Sequence, residues 1–164
     1  MAVLNVAFIG SESLAKKIAK KGDVRDIESY VYKEVRDGEI KIISLLRPLK
    51  HPEKIRPLLS VLNVAKAGII EISKIDSATG EICVSFGCAG INNGLIIINS
   101  QDGDWIDPDQ VRIILEQSGL RNWKLYEQVP DEHIIREDLF SLMEKKETDD
   151  SSLILPVDQF FNVK

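Results

Sequence analysis

Short apolar runs alternate with segments of helical period along this chain. Residues 3–9 form an almost unbroken apolar run, the mark of a strand covered on both faces, and end at Gly10. Ser11 is placed to cap a helix over residues 11–21, with Leu14, Ala15, Ile18 and Ala19 as its buried stripe, lysines opposite and Gly22 as its end. Residues 27–35 and 39–46 flank Arg36-Asp37-Gly38, and Asp-Gly between two strand-like runs predicts a hairpin. Residues 51–62 have helical period, with Pro57 predicting a kink or a later start. A buried strand is expected over 67–72, a helix from Asp76 or Ser77 to about Ala89, and a strand over 95–98 after the turn Asn92-Asn93-Gly94. Asp107-Pro108-Asp109-Gln110 is a helix start, with cap, proline in the first position and Gln three after the cap; that helix ends at Gly119. A strand over 123–129 and a helix over 131–146 follow, then a polar linker, 147–152, and a new strand-like run, 153–163. The pattern predicts an α/β fold: a mostly parallel sheet with one antiparallel edge strand and helices on both faces.

Composition narrows the chemistry. The chain of 164 residues, 44% hydrophobic and 29% charged, suits one ordinary domain with a real core. Its net charge of −5 disfavours direct binding to a phosphate backbone. Cys83 and Cys88 do not have CxxC spacing, and His51 and His133 do not complete a zinc set, so no metal site is expected. Two reduced, buried thiols in a cytoplasmic protein are expected instead. No apolar run reaches roughly 18 residues, and the chain starts without the basic, cleavable segment of a signal peptide, so no membrane is expected. Ser85 lacks a Gly-x-Ser-x-Gly elbow. Asp102, Asp104, Asp107 and Asp109 lack calcium-loop spacing, and Asp107 is explained as a cap. Trp105 reads as an exposed-loop residue and a candidate contact, and Trp123 as the start of a strand.

Ligands of parallel α/β sheets sit at the carboxyl ends of the strands. Four such ends can be read: residues 10–17, 47–51, 73–79 and 99–102. Their order and spacing resemble the GTP-binding domain of translation factors of the elongation factor Tu and SelB group. The resemblance is clearest in "IISLLRPLKHPEKIRPLLSVLNVAKAGIIEI" and "GLIIINSQD". It implies a three-layer P-loop-NTPase-like domain over residues 1–146. The final "LPVDQFFNVK" resembles the opening strand of the β-barrel that follows such a domain, so 147–152 is read as a linker and 153–164 as the start of a truncated second domain.

The family's phosphate loop is GxxxxGK(S/T), whose backbone N–H groups and lysine hold phosphates and whose hydroxyl binds Mg²⁺. Counted from Gly10, Lys16 falls at the lysine, Ala15 replaces a glycine and Lys17 replaces the hydroxyl. The alternative register is a deletion, in which the lysines belong to the next helix and Glu12 partly fills the phosphate position at the helix start. The family's DxxG and following His match Arg47-Pro48-Leu49-Lys50-His51, so the metal-holding Asp is Arg47 and the γ-phosphate-sensing Gly is Lys50. NKxD matches Asn99-Ser100-Gln101-Asp102, keeping the amide and the guanine-binding carboxylate; Glu127 is a poor match to the fifth loop. No threonine lies between Gly22 and Ile40, where the family's first switch supplies one to Mg²⁺.

The resemblance thus implies a G domain without hydrolysis: no catalytic residue, no metal, and a scaffold or binding module in a translation-related protein. Its partners would be the downstream β-barrel and, through other domains, translation machinery or RNA. GTP or GDP is the one cofactor class left open. An atypical GTP site would use Gly10, Lys16, Asn99 and Asp102, with Arg47 and Lys50 as anion-binding cations in place of Mg²⁺.

Overall fold

The computed structural model describes residues 1–49, 53–100 and 105–144. The elements in chain order are β1 (Ala2–Ile9), α1 (Glu12–Ile18), β2 (Lys20–Val24), β3 (Ile27–Arg36), β4 (Glu39–Pro48), α2 (Ile55–Val64), β5 (Ala67–Ile72), α3 (Ser77–Cys88), β6 (Gly94–Ile98), α4 (Pro108–Gln117), β7 (Lys124–Tyr126) and α5 (Glu132–Glu144). The strands form one sheet in the order β2-β3-β4-β1-β5-β6-β7. β4, β1, β5, β6 and β7 are mutually parallel, and β3 is antiparallel to both β4 and β2.

Alternation along the strands splits the core in two. Ala7, Ile70, Ile72, Ile96 and Ile98 face α2, α3 and α4, whose Leu58, Val61, Phe86, Val111 and Leu115 cover them. Val6, Phe8, Ile43, Leu45, Ile69 and Ile97 face α1 and α5 through Leu14, Ile18, Ile135, Leu139 and Phe140. This is the expected three-layer α/β arrangement, and the buried central strands explain why their sequences are continuous apolar runs. Trp123 locks one layer: its ring packs edge-on against Phe86 and its Nε1 donates to the Ile91 carbonyl at 3.0 Å.

Several elements depart from the sequence reading. The helix expected over 11–21 stops at Ile18, and Ala19 is extended (φ −148°, ψ 161°). Lys20 and Lys21 pair as strand with Val31 and Tyr30, so Gly22 lies inside β2 and terminates nothing. Lysine-rich sequence favours a helix, but strand pairing and the ion pairs of Lys21 override that weak preference. The antiparallel part is therefore a three-strand meander, not a single edge strand. Helix α2 starts late, at Ile55, which leaves Pro57 in the first turn, where its missing N–H costs nothing. Cys83 is buried, but Cys88, five positions on and on another helix face, is exposed. Burial pushes the Cys83 thiol up to about 11. The hairpin, the Asp76 and Asp107 caps and the end of α4 before Gly119 are as expected. The linker and strand expected after residue 146 lie outside the described residues.

Candidate functional site: the carboxyl edge beside β1

β1 lies between β4 and β5, so its carboxyl end is the crevice where ligands of this architecture bind. Ile9 is in register with Ile70, so Gly10 leaves the sheet beside Glu71. Asn99 follows β6, and its backbone N–H donates to the Ile72 carbonyl at 2.9 Å. Arg47 comes from the penultimate position of β4. Parallel strands thus bring Gly10, Arg47, Glu71 and Asn99 to one end of the molecule.

The connection from β1 to α1 is only Gly10 and Ser11. Ser11 is extended (φ −70°, ψ 147°), and its hydroxyl caps the helix by accepting from the Leu14 N–H at 3.2 Å. No residue between Gly10 and Lys17 has positive φ. The chain passes straight into the helix, without the run of turned N–H groups that makes an anion nest.

Glu71 occupies the space in front of that helix. Its carboxylate accepts the Ser11 N–H at 2.5 Å, the Ser11 hydroxyl at 3.2 Å and the Asn99 amide at 2.6 Å. A carboxylate at the start of a helix, taking backbone N–H donation, is in the electrostatic position that an anionic ligand would seek. Glu71 reaches it because Ile69 and Glu71 share the strand face on which α1 lies. Gly10 permits the approach: a Cβ there would stand 2.7 Å from the Glu71 Oε2 and 2.9 Å from its Cβ. The expectation that Glu12 fills this position is corrected. Glu12 turns outward to Lys16 at 2.8 Å and Lys21 at 2.7 Å, and hydrogen bonds from these two lysines hold its carboxyl down near 2.

A second ion cluster lies on the β4 side. Arg47 donates through Nε to the Gly10 carbonyl at 2.8 Å and through its terminal nitrogen to Glu28 at 2.7 Å. Glu28 is 5% exposed and also accepts from Lys21 at 2.9 Å and from the Tyr30 hydroxyl at 3.0 Å. Burial pushes the Glu28 carboxyl up, but the hydrogen bonds from Lys21, Arg47 and Tyr30 outweigh it and hold it below its ordinary value. For Tyr30, burial and then the bond to Glu28 push the phenol up.

Of the residues singled out in the sequence, Gly10, Arg47 and Asn99 converge here. Lys16 does not: it is half exposed on the surface of α1, paired with Glu12. Lys50, His51 and Asp102 lie outside the described residues. Asp107 caps α4 by accepting from Asp109, Asp109 pairs with Arg112, and Glu127 pairs with Arg112, so these acids are engaged locally. No acidic, Cys or His cluster suited to a metal ion occurs among the described residues. Ser85 back-bonds to the Glu81 carbonyl, and Trp105 is 79% exposed. Sequence reasoning missed Glu71 and Glu28. The signal for Glu71 was present: it is the one charged residue in an otherwise apolar strand.

Comparison with known proteins agrees with the architecture. No protein-family model matches the sequence. The chain is 29% identical over 163 residues, 98% of its length, to Uncharacterized protein MJ0325 of Methanocaldococcus jannaschii. It spans 49% of that protein, so the chain covers about half the length of this curated relative. Among solved structures, it superposes on the bacterial selenocysteine-specific elongation factor EF-Sec with a TM-score of 0.65 at 14% identity, over 89% of this chain and 29% of that one. The likeness is one of fold: a mixed α/β, mostly parallel sheet of the P-loop-NTPase-like kind.

Proposed function

We propose that this chain is an elongation-factor-like G domain that has lost its phosphate and Mg²⁺ motifs and works as a non-hydrolysing scaffold or binding module in a translation-related, cytoplasmic protein. The observation that carries the reading is the Glu71 carboxylate bonded to Ser11 and Asn99 in front of α1. An internal anion stands where the family's nucleotide phosphate would stand, and two residues of connection replace a wrapped loop. Arg47, at the position of the metal-holding Asp, fixes the Gly10 carbonyl and neutralises Glu28. With a cation in place of the metal acid, the site lacks the carboxylate that holds the Mg²⁺ shell in the family.

The same geometry explains a scaffold role. GTPase switches respond because γ-phosphate and Mg²⁺ order loops that are otherwise released. Here the segment after α1 is β2, paired with β3 and tied through Lys21 to Glu12 and Glu28. Side-chain bonds from Arg47, Glu71 and Asn99 tie the structure around β1 together. A domain tied together in this way suits presentation of a downstream β-barrel. The competing use of Lys16 and Arg47 as metal substitutes is weakened because both cations are already paired. The test is a GTP turnover assay with Mg²⁺. Turnover at the uncatalysed rate is expected; Mg²⁺-dependent turnover clearly above background, abolished by Asp102→Ala, overturns the reading.

A further inference from the structure

The two edges of β3 are used unequally. β4 pairs with β3 over its whole length, from Ile27 opposite Pro48 to Arg36 opposite Glu39. β2 reaches only from Glu28 to Val31. Beyond Val31, the side of β3 away from β4 has no strand neighbour among the described residues. Asp37 and Gly38 both have positive φ, 52° and 76°, as in the two-residue turn whose flanking residues form a hydrogen-bonded pair. Alternation then turns the N–H and C=O groups of Arg36, Glu34 and Tyr32 to β4 and those of Lys33 and Val35 outward.

A groove of about 540 Å³ lies along this free end, with Lys16, Lys17, Lys20, Lys33 and Arg136 around it. Lys16 is paired with Glu12, and Arg136 donates to the carbonyls of Ile18 and Lys17 while stacking over the Tyr32 ring at 4.3 Å. Lys17, Lys20 and Lys33 have no acidic partner among the described residues. Val31 and Val35, 41% and 65% exposed, flank Lys33 on one face of the strand. Open ladder groups, a cationic rim and flanking apolar side chains thus meet in one place, on a chain whose net charge is −5.

We propose that the free end of β3 and the lysine-rimmed groove beside it bind an acidic segment of a partner protein in extended form, added to the sheet as a strand. Backbone pairing with Lys33 and Val35 would supply affinity, and acids placed against Lys17, Lys20 and Lys33 would supply selectivity. A second copy of this chain is disfavoured, because edge-to-edge pairing would bring two copies of the same lysine rim together. RNA is disfavoured because the groove's one aromatic ring, Tyr32, is already covered by Arg136. The inference is independent of the nucleotide reading.

The test titrates the whole chain against a fluorescein-labelled twelve-residue peptide of alternating Glu and Val, with a Lys-Val peptide and an oligouridylate as controls. Saturable binding of the acidic peptide is expected. It should weaken at least tenfold in Lys20→Glu/Lys33→Glu, two surface changes whose folding is checked by circular dichroism, with slowed amide exchange at Lys33 and Val35 in the bound wild type. No binding at millimolar peptide, tighter binding of the oligouridylate, or binding that leaves those two amides unprotected overturns the proposal; the first of these results would mean that the lysines only guard the edge against aggregation.

Discussion

Replacing Glu71 with Ala tests the reasoning at its tightest point. The substitution removes the acceptor of three donors, the Ser11 N–H, the Ser11 hydroxyl and the Asn99 amide. Hydrogen bonds to a charged group contribute about 1.5–3 kcal/mol each when their loss leaves a partner unsatisfied. The site is only part-buried, so water replaces some of this, and Ser11 keeps its own bond to Leu14. The expected net loss is about 2–4 kcal/mol, including the carboxylate's interaction with the helix start. For a domain of this size that is a fall in Tm of roughly 4–16 °C. Urea unfolding at neutral pH measures the free energy directly, and an unchanged m-value would show that the folded and unfolded states are otherwise the same. Glu71→Gln, which keeps one acceptor oxygen but sets an NH₂ among donors, should fall between wild type and Ala. Neither variant should acquire affinity for GTP, because two residues still cannot wrap phosphates. A Glu71→Ala protein within about 0.5 kcal/mol of wild type would refute the assignment of this carboxylate as the partner of α1.

Gly10→Ala should destabilise by about 1–3 kcal/mol, since its Cβ meets Glu71 Oε2 at 2.7 Å, and part of that cost should vanish in a Glu71→Ala background, a coupling that a double-mutant unfolding cycle reads. The lowered pKa of Glu28 stabilises the fold above the ordinary value of 4.5, and that stability is lost as pH falls through the folded value. Wild type should therefore lose more stability than Glu28→Gln as pH drops below 4.5, which acid titration of unfolding free energy would show; parallel curves would contradict the cluster. Gly68→Ala would set a Cβ 2.2 Å from Trp123 Cη2, so a loss of about 1–3 kcal/mol or more is expected, with a changed Trp fluorescence spectrum as the local readout.

The sequence carried the fold where one physical signal dominated. The apolar runs of β1, β5 and β6 mark strands buried on both faces, the Asp37-Gly38 pair marks a turn that needs positive φ, and Asp107-Pro108 marks a helix start. It misled where two local signals competed. The stretch from Ser11 to Lys21 has helical period throughout, and only the pairing of Lys20 and Lys21 with β3 shows where the helix must stop. The site was legible as a place and not as an arrangement. Gly10, Arg47 and Asn99 meet because parallel strands end together, which topology alone predicts. The Glu28–Arg47 pair follows from the hairpin register once the turn is placed at Asp37-Gly38, but the Glu71 partner of Ser11 could not be read, because the two are sixty positions apart and such a polar pair leaves no periodic trace.

Calorimetric titration of the whole chain with GDP and GTP, each with and without Mg²⁺, tests the central claim most directly. If Glu71 takes the place of the phosphate as proposed, no binding heat is expected up to millimolar nucleotide. Sub-micromolar, guanine-selective binding that strengthens with Mg²⁺ and is lost in Asp102→Ala would contradict it.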